Sequence, residues 1–177
     1  MLDMRPIFLI GYMASGKTTL GRALARLLGR EFIDLDFYIS QRFHKSIPEL
    51  FKEYGEEGFR DIEAAMLREA GEFEGTIIAC GGGTPCFRGN MDFLLNRGQV
   101  IFLEASPERI IKRLKIAKTR RPLIEGKTED ELREYIDTHL SDRLPHYRRA
   151  HITIASDRLE SRSQIEETLI RLLPLID

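Results

Sequence analysis

Residues 7–18 constrain the fold of this 177-residue chain more than any other stretch. After Pro6, Ile7-Phe8-Leu9-Ile10 is a short, wholly apolar run, the pattern of a buried strand. Gly11-Tyr12-Met13-Ala14-Ser15-Gly16-Lys17-Thr18 follows and fits the spacing G-x-x-x-x-G-K-[ST] in full. From Lys17 to Leu28, Leu20, Leu24, Leu27 and Leu28 recur at helical spacing, and Gly29 supplies a stop signal. A strand, a glycine loop and a helix start let backbone N–H groups turn inward around phosphate oxygens, with the positive end of the helix dipole behind them. The segment predicts a nucleoside triphosphate site built from Gly11, Ala14, Ser15, Gly16, Lys17, Thr18 and Thr19. Lys17 would bridge the β- and γ-phosphates, and the Thr18 hydroxyl would bind Mg²⁺.

The rest of the chain repeats the alternation of strand and helix. Phe32-Ile33-Asp34-Leu35-Asp36 reads as a second strand running into a polar end. A capping box, Ser46-x-Pro48-Glu49, opens a helical segment, and a longer helix is expected from about Glu56 to Ala70. Thr76 to Ala79, Gln99 to Leu103 and Ile152 to Ile154 are further strand candidates. Ser106-Pro107-Glu108 and Thr128-x-x-Glu131 mark two more helix starts, the second helix running towards Arg143. A terminal helix is expected from Leu159 to Leu173. This order predicts an α/β domain with a mostly parallel sheet of about five strands, its ligands at the carboxyl ends of those strands.

Composition removes several classes of function. The longest apolar runs are far short of a membrane span. The N-terminus carries no leader pattern, and Cys80 and Cys86 match no zinc or disulfide spacing, so a cytoplasmic protein is expected. Formal net charge is -1, from 27 basic and 28 acidic residues, which disfavours a general polyanion binder. Twenty of the 27 basic residues are arginine, whose planar fork grips carboxylate and phosphate with two bonds. The charges are also segregated. Glu49 to Glu74 holds nine acids and three bases, whereas Arg109 to Arg121 holds seven bases and no acid.

No Asn-Lys-x-Asp guanine-reading motif occurs, and the chain is short for a motor. A kinase for small molecules or nucleotides remains, and it needs a metal-side carboxylate, a group on the acceptor hydroxyl and a lid. Asp34 and Asp36, two apart on an extended segment, would point the same way and supply the two carboxylates. The competing reading is a polar turn with Asp36 capping a helix, and Glu104, at the end of another strand, is a rival metal-side carboxylate.

The ordered set of motifs resembles the shikimate kinase family. It comprises the loop beginning Gly11-Tyr12-Met13, the pair Asp34-x-Asp36, and Gly55-Glu56-x-x-Phe59-Arg60-x-x-Glu63. Gly81-Gly82-Gly83, Arg121-Pro122-Leu123 and Arg143-x-x-x-Tyr147 follow, so the set spans Gly11 to about Ala150. The resemblance implies a three-layer α/β/α P-loop kinase fold over residues 1–177, with a substrate-binding helical segment about 37–70 and a mobile lid about 113–126. It implies transfer of the γ-phosphoryl of MgATP to the 3-hydroxyl of shikimate, on the route to chorismate and the aromatic amino acids. Asp34 joins Thr18 on the metal, Asp36 serves the acceptor hydroxyl, and Lys17 and Arg121 serve the transferred phosphoryl group. Arg60, Gly81, Gly82, Gly83 and Arg143 surround shikimate, and Arg113 contacts adenine.

The residue chemistry agrees with that assignment. Shikimate carries one carboxylate and three hydroxyls, which call for a guanidinium fork and several hydrogen-bonding groups. Arg60 and Glu63, three apart on a helix, would hold the fork in place; a surface ion pair is the plainer reading. The basic run Arg109 to Arg121 reads most plainly as a solvated helix face; its lack of interleaved aromatics speaks against nucleic acid, and a cationic flap over triphosphate would explain the charge together with the Arg121-Pro122 turn. No nucleic-acid or membrane partner and a monomer are expected. A kinase for another polyol acid such as gluconate, and an ATP-binding module without an acceptor, stay open. Thr84-Pro85-Cys86-Phe87 and the run Arg88 to Asn96 fit no pattern.

Overall fold

The computed structural model describes residues 4–117 and 126–176. Five strands form one sheet: β1 (Ile7–Ile10), β2 (Glu31–Asp34), β3 (Thr76–Ala79), β4 (Gln99–Glu104) and β5 (Ile152–Ala155). Their spatial order is β2-β3-β1-β4-β5, and every pairing among the described residues is parallel. From β1 the chain crosses to the edge strand β2, returns to β3 beside β1, and then passes to β4 and β5 on the other side. The switch point at which α/β sheets bind ligands lies at the ends of β1 and β3.

Side chains alternate across the sheet, and in the inner strands β1, β3 and β4 both faces are buried, so these read as apolar runs, whereas the edge strand β5 alternates buried and exposed. Phe8, Ile10, Ile78, Val100 and Phe102 face a layer formed by α2 (Leu35–Phe43), α3 (Ile47–Ala70), α4 (Asn90–Arg97), α5 (Pro107–Ile116) and α6 (Glu129–Tyr147). Ile7, Leu9, Ile77, Ile101 and Leu103 face α1 (Lys17–Leu28) and α7 (Arg162–Leu172). Three layers result. The helix starts lie where their capping residues put them: Ser46 and Thr128 each form a complete capping box, and the Ser106 side chain accepts from Arg109 N.

Four details depart from the sequence reading. β2 ends at Asp34, not Asp36, because the Asp34 carboxylate accepts the Phe37 N–H at 3.2 Å and opens α2 there. Asp36 is thus in the first turn of a helix, and the extended-segment argument for pairing the two carboxylates fails. α7 starts at Arg162, capped by Ser161, and leaves Leu159 free to pack beside the phosphate loop. The unassigned stretch after Gly83 folds as a 3-10 turn, Thr84–Cys86, followed by α4. α3 contains both helical segments expected between Ser46 and Ala70, joined at Gly55, where the backbone leaves helical geometry (φ 69°, ψ -180°).

Cys80 and Cys86 are free thiols, and no described helix is long and apolar enough to cross a membrane. Arg121 and most of the expected lid, residues 118–125, lie outside the described residues.

Candidate active site

The carboxyl ends of β1, β2 and β3 open on a cleft of about 600 Å³. The loop Gly11–Gly16 forms its floor. Gly16 stands at the start of α1 with φ 99°, and a Cβ there would lie 2.4 Å from Leu159 Cδ1. Only glycine gives that turn together with that approach. Lys17 reaches back across the loop, its Nζ donating to the carbonyls of Gly11 and Tyr12 at 2.8 Å each. Ala14, Gly16, Lys17, Thr18 and Thr19 line the cleft, whereas Ser15 is buried beneath it.

Thr18 Oγ1 donates to Asp34 Oδ2 at 3.3 Å, so the hydroxyl at the start of α1 and the carboxylate at the end of β2 adjoin. Two oxygen donors beside a phosphate loop are the hard ligands that suit Mg²⁺, which takes few protein groups and fills its octahedron with water and phosphate. Among the described residues no cluster of three or more His, Cys, Asp or Glu suited to a metal occurs. Glu104, the rival carboxylate, is exposed and lines a separate pocket of about 330 Å³.

Asp34 and Asp36 both line the cleft, Asp34 from the last position of β2 and Asp36 from the first turn of α2. The Asp34 cap directs the first turn of α2 over the cleft and carries Asp36 in with it. By surface area Asp36 is exposed at the mouth of the cleft, while the glycine turn and Glu63 lie close on its inner side. Loss of water on that inner side, then the charges of Asp34 and Glu63, push its carboxyl up from 3.8 to about 6, against the opposing pull of Lys17 and Arg60.

The glycine triplet after β3 joins this cleft to two guanidinium groups. A Cβ on Gly81 would lie 3.1 Å from Asp36 Oδ1 and 3.3 Å from Glu63 Oε1. One on Gly82 would lie 3.1 Å from Arg143 Nη1, and one on Gly83 would lie 2.9 Å from Arg60 Nη2. Asp36, Arg143 and Arg60 therefore converge on one turn that carries no side chains of its own. Gly81 and Gly82 line the cleft, and Arg60 and Arg143 stand just beyond them.

Arg60 is not on the surface. Its side chain is 10% exposed, and Nη1 pairs at 2.9 Å with Glu63, which is itself 2% exposed. Its Cζ lies 4.0 Å from the Phe87 ring centroid, 5.5 Å from Phe59 and 5.7 Å from Phe51. Its Nε is buried without a hydrogen-bond partner. This aromatic box went unread in the sequence. Phe59 sits inside the motif that runs from Gly55 to Glu63, but nothing in the sequence singles out Phe51 or Phe87.

Arg143 lies over the Tyr12 ring at 5.3 Å, and one turn later Tyr147 donates its hydroxyl to the Gly82 carbonyl. Burial pushes the Tyr12 hydroxyl up to about 12, so it stays protonated. Arg113 lines the opposite end of the cleft. Nη1 donates to Ala14 O at 3.1 Å, Nη2 to Ser156 O at 2.6 Å and Nε to Glu160 at 2.9 Å.

Known proteins match this arrangement over nearly its whole length. The family model for shikimate kinase matches residues 13–173. The shikimate kinase of Bacteroides fragilis is 50% identical over 171 residues, 97% of this chain and 96% of that protein. The crystal structure of shikimate kinase from Bacteroides thetaiotaomicron superposes with a TM-score of 0.95 at 50% identity, covering 97% of this chain and 98% of the other. A solved shikimate kinase from Acinetobacter baumannii, in complex with shikimate, superposes with a TM-score of 0.83 at 35% identity, covering 97% and 93%. Likeness of this extent, in sequence and backbone alike, places the chain in the shikimate kinase family.

Proposed function

We propose that this chain transfers the γ-phosphoryl group of MgATP to the 3-hydroxyl of shikimate. The convergence of Asp36, Arg60 and Arg143 on the glycine turn, at the end of the cleft opened by the phosphate loop, carries this reading. The Arg60 fork, its buried Nε still without a partner, receives the acceptor's carboxylate, and Arg143 adds a second cation across the turn. Backbone groups of Gly81 to Gly83 meet the ring where side chains would intrude. The acceptor hydroxyl then faces Asp36.

Phosphoryl transfer asks for positioning and charge neutralisation more than for covalent chemistry by the protein. The acceptor O3–P bond forms as the bond from the β–γ bridging oxygen to the γ-phosphorus breaks. ADP leaves, and the O3 proton passes to Asp36. Lys17 spans the β- and γ-phosphates while the loop amides hold them. Thr18 and Asp34 are the residues that would hold Mg²⁺, which, when bound, neutralises phosphate charge. Arg121 is assigned to close over the transferred group and Arg113 to contact adenine. The chain acts as one domain, with helices over about 37–70 on the acceptor and a lid over about 113–126. It works as a cytoplasmic monomer.

An ADP-release assay across shikimate, gluconate and nucleoside monophosphates tests the acceptor. Turnover is expected with shikimate alone; turnover with gluconate and none with shikimate would overturn the reading. Shikimate should also raise the unfolding temperature beyond the effect of ATP alone, which an ATP-binding module without an acceptor would not show.

The raised Asp36 carboxyl sets the acid limb of the pH profile. With its carboxyl at about 6 rather than 3.8, Asp36 takes up its proton as the pH falls through 6 and then cannot accept another. kcat/KM for shikimate is expected to be level near neutrality and to fall about tenfold per pH unit below roughly pH 6. An inflection near pH 4 instead would mean that the titrating group is not this one.

A further inference from the structure

Thr84, Phe87, Arg88 and Asn90, from the stretch that fits no sequence pattern, all contact α3 or the residues that hold it. Thr84 is fully buried. Its hydroxyl donates to Glu63 Oε1 at 2.7 Å, while Glu63 Oε2 accepts from Arg60 Nη1 at 2.9 Å. Each oxygen of this buried carboxylate thus has its own donor, which fixes rotation about the last torsion of Glu63 and with it the plane of the Arg60 fork.

Thr84 is itself held. Asn90, also fully buried, donates from Nδ2 to the Thr84 carbonyl at 2.9 Å, and its Oδ1 accepts from Arg68 Nη1 at 3.0 Å. The amide orientation follows from chemistry: arginine only donates, so the oxygen must face Arg68 and the nitrogen the carbonyl. Arg68 lies on α3, five residues after Glu63, and the same Nη1 donates to Ala64 O at 2.8 Å. The network runs from α3 through Asn90 and Thr84 back to α3. Phe87 covers the face of the Arg60 guanidinium, and Arg88 pairs with Glu57 and Asp61 on the outer side of the helix.

We propose that Thr84, seated by Asn90, is a positioning residue for the acceptor. Its hydroxyl locks the Glu63 carboxylate and, through it, orients the Arg60 fork that receives the acceptor's carboxylate. The inference rests on the role given to Arg60 above. Without the Thr84 donor, Glu63 Oε1 loses a charge-assisted bond, the carboxylate can swing, and the fork swings with it. A two-bond contact is lost to small rotations that a point-charge contact would tolerate.

Steady-state kinetics on Thr84→Val, which keeps the shape and removes the donor, tests the proposal. The shikimate KM should rise about tenfold while the ATP KM stays within about twofold, and Thr84→Ser should restore the wild-type value. In an Arg60→Ala background, Thr84→Val should change the shikimate KM less than about twofold, since the group it positions is gone. If Thr84→Val does not fold, Thr84→Ala removes the same donor with the same expectation. An unchanged shikimate KM in Thr84→Val, equal rises in both KM values, or effects that multiply fully with Arg60→Ala would each overturn the proposal. Wild-type turnover separates the two layers. If shikimate is turned over and Thr84→Val keeps its KM, only the positioning role falls; if wild-type protein does not use shikimate, both fall.

Discussion

Asp36→Asn is expected to bind ATP as the wild type does and to lose turnover roughly a hundred- to ten-thousand-fold, the range that general-base groups supply. The amide keeps the size of the side chain and its place over the cleft but cannot take the proton from the acceptor hydroxyl. Nucleotide affinity should hold, because the loop Gly11–Gly16, Lys17 and the Thr18–Asp34 pair are untouched. Stability should move the other way. The folded chain holds the Asp36 carboxyl at about 6 and an ordinary aspartate titrates at 3.8, so between those values the folded state binds more proton than the unfolded one. Stability from this group therefore falls as pH rises through that window, and its ionisation is fully unfavourable above about pH 6. Asparagine removes that penalty. The ligand-free variant should unfold at a higher temperature than the wild type at pH 8, and the difference should shrink towards pH 4. Retained kcat would remove Asp36 from the chemistry. A lower unfolding temperature at pH 8 would mean that its charge is satisfied in the fold.

Such a site, costly to the empty protein and useful to the loaded one, is what a sheet switch point can support. β1 and β3 are neighbours, so the phosphate loop and the glycine turn emerge side by side. β2 lies beyond β3 in register, with Asp34 opposite Ala79, which brings Asp34 and Asp36 to the same end. Donor and acceptor subsites thus come from three consecutive strand ends and meet with no loop crossing between them.

The sequence showed this framework wherever one local rule decided the outcome. The short runs Ile7–Ile10 and Thr76–Ala79 are the β1 and β3 strands as observed, and capping boxes put α3 and α6 at their true starts. It misled where two local rules competed. Asp34 and Asp36 could continue a strand or open a helix, and the Asp34 cap on Phe37 settled it for the helix. Both carboxylates still entered the cleft, Asp34 from the end of β2 and Asp36 by the direction of the first helical turn rather than by strand alternation. What could not be read was tertiary. The spacing of Arg60 and Glu63 suits an exposed i,i+3 pair, and only packing by Phe51, Phe59, Phe87 and the 3-10 turn at Thr84 takes it out of water. No period or motif in one segment reports which distant segment will cover it.

That burial sets what Arg60→Ala should do. On an exposed pair the substitution would leave the fold almost unchanged. Here it strands the buried Glu63 carboxylate, with the Thr84 hydroxyl as the partner that remains to it among the described residues. Removing one member of a buried pair costs about 3–5 kcal/mol, which for a chain of this size lowers the unfolding temperature on the order of 10 °C. The acceptor should suffer separately. Losing the fork is expected to raise the shikimate KM about a hundredfold, with the ATP KM within about twofold because no part of the phosphate loop is disturbed. Arg60→Lys divides the two effects. Lysine supplies a charge to Glu63, and most of the lost stability should return. It has no planar fork to meet a carboxylate with two bonds and stacks poorly on Phe87, so most of the KM defect should persist. Thermal unfolding beside kinetics with each substrate varied in turn reads both. If Arg60→Lys restored the shikimate KM along with the fold, a point charge would suffice, and the acceptor's carboxylate would not be gripped by a fork at this position.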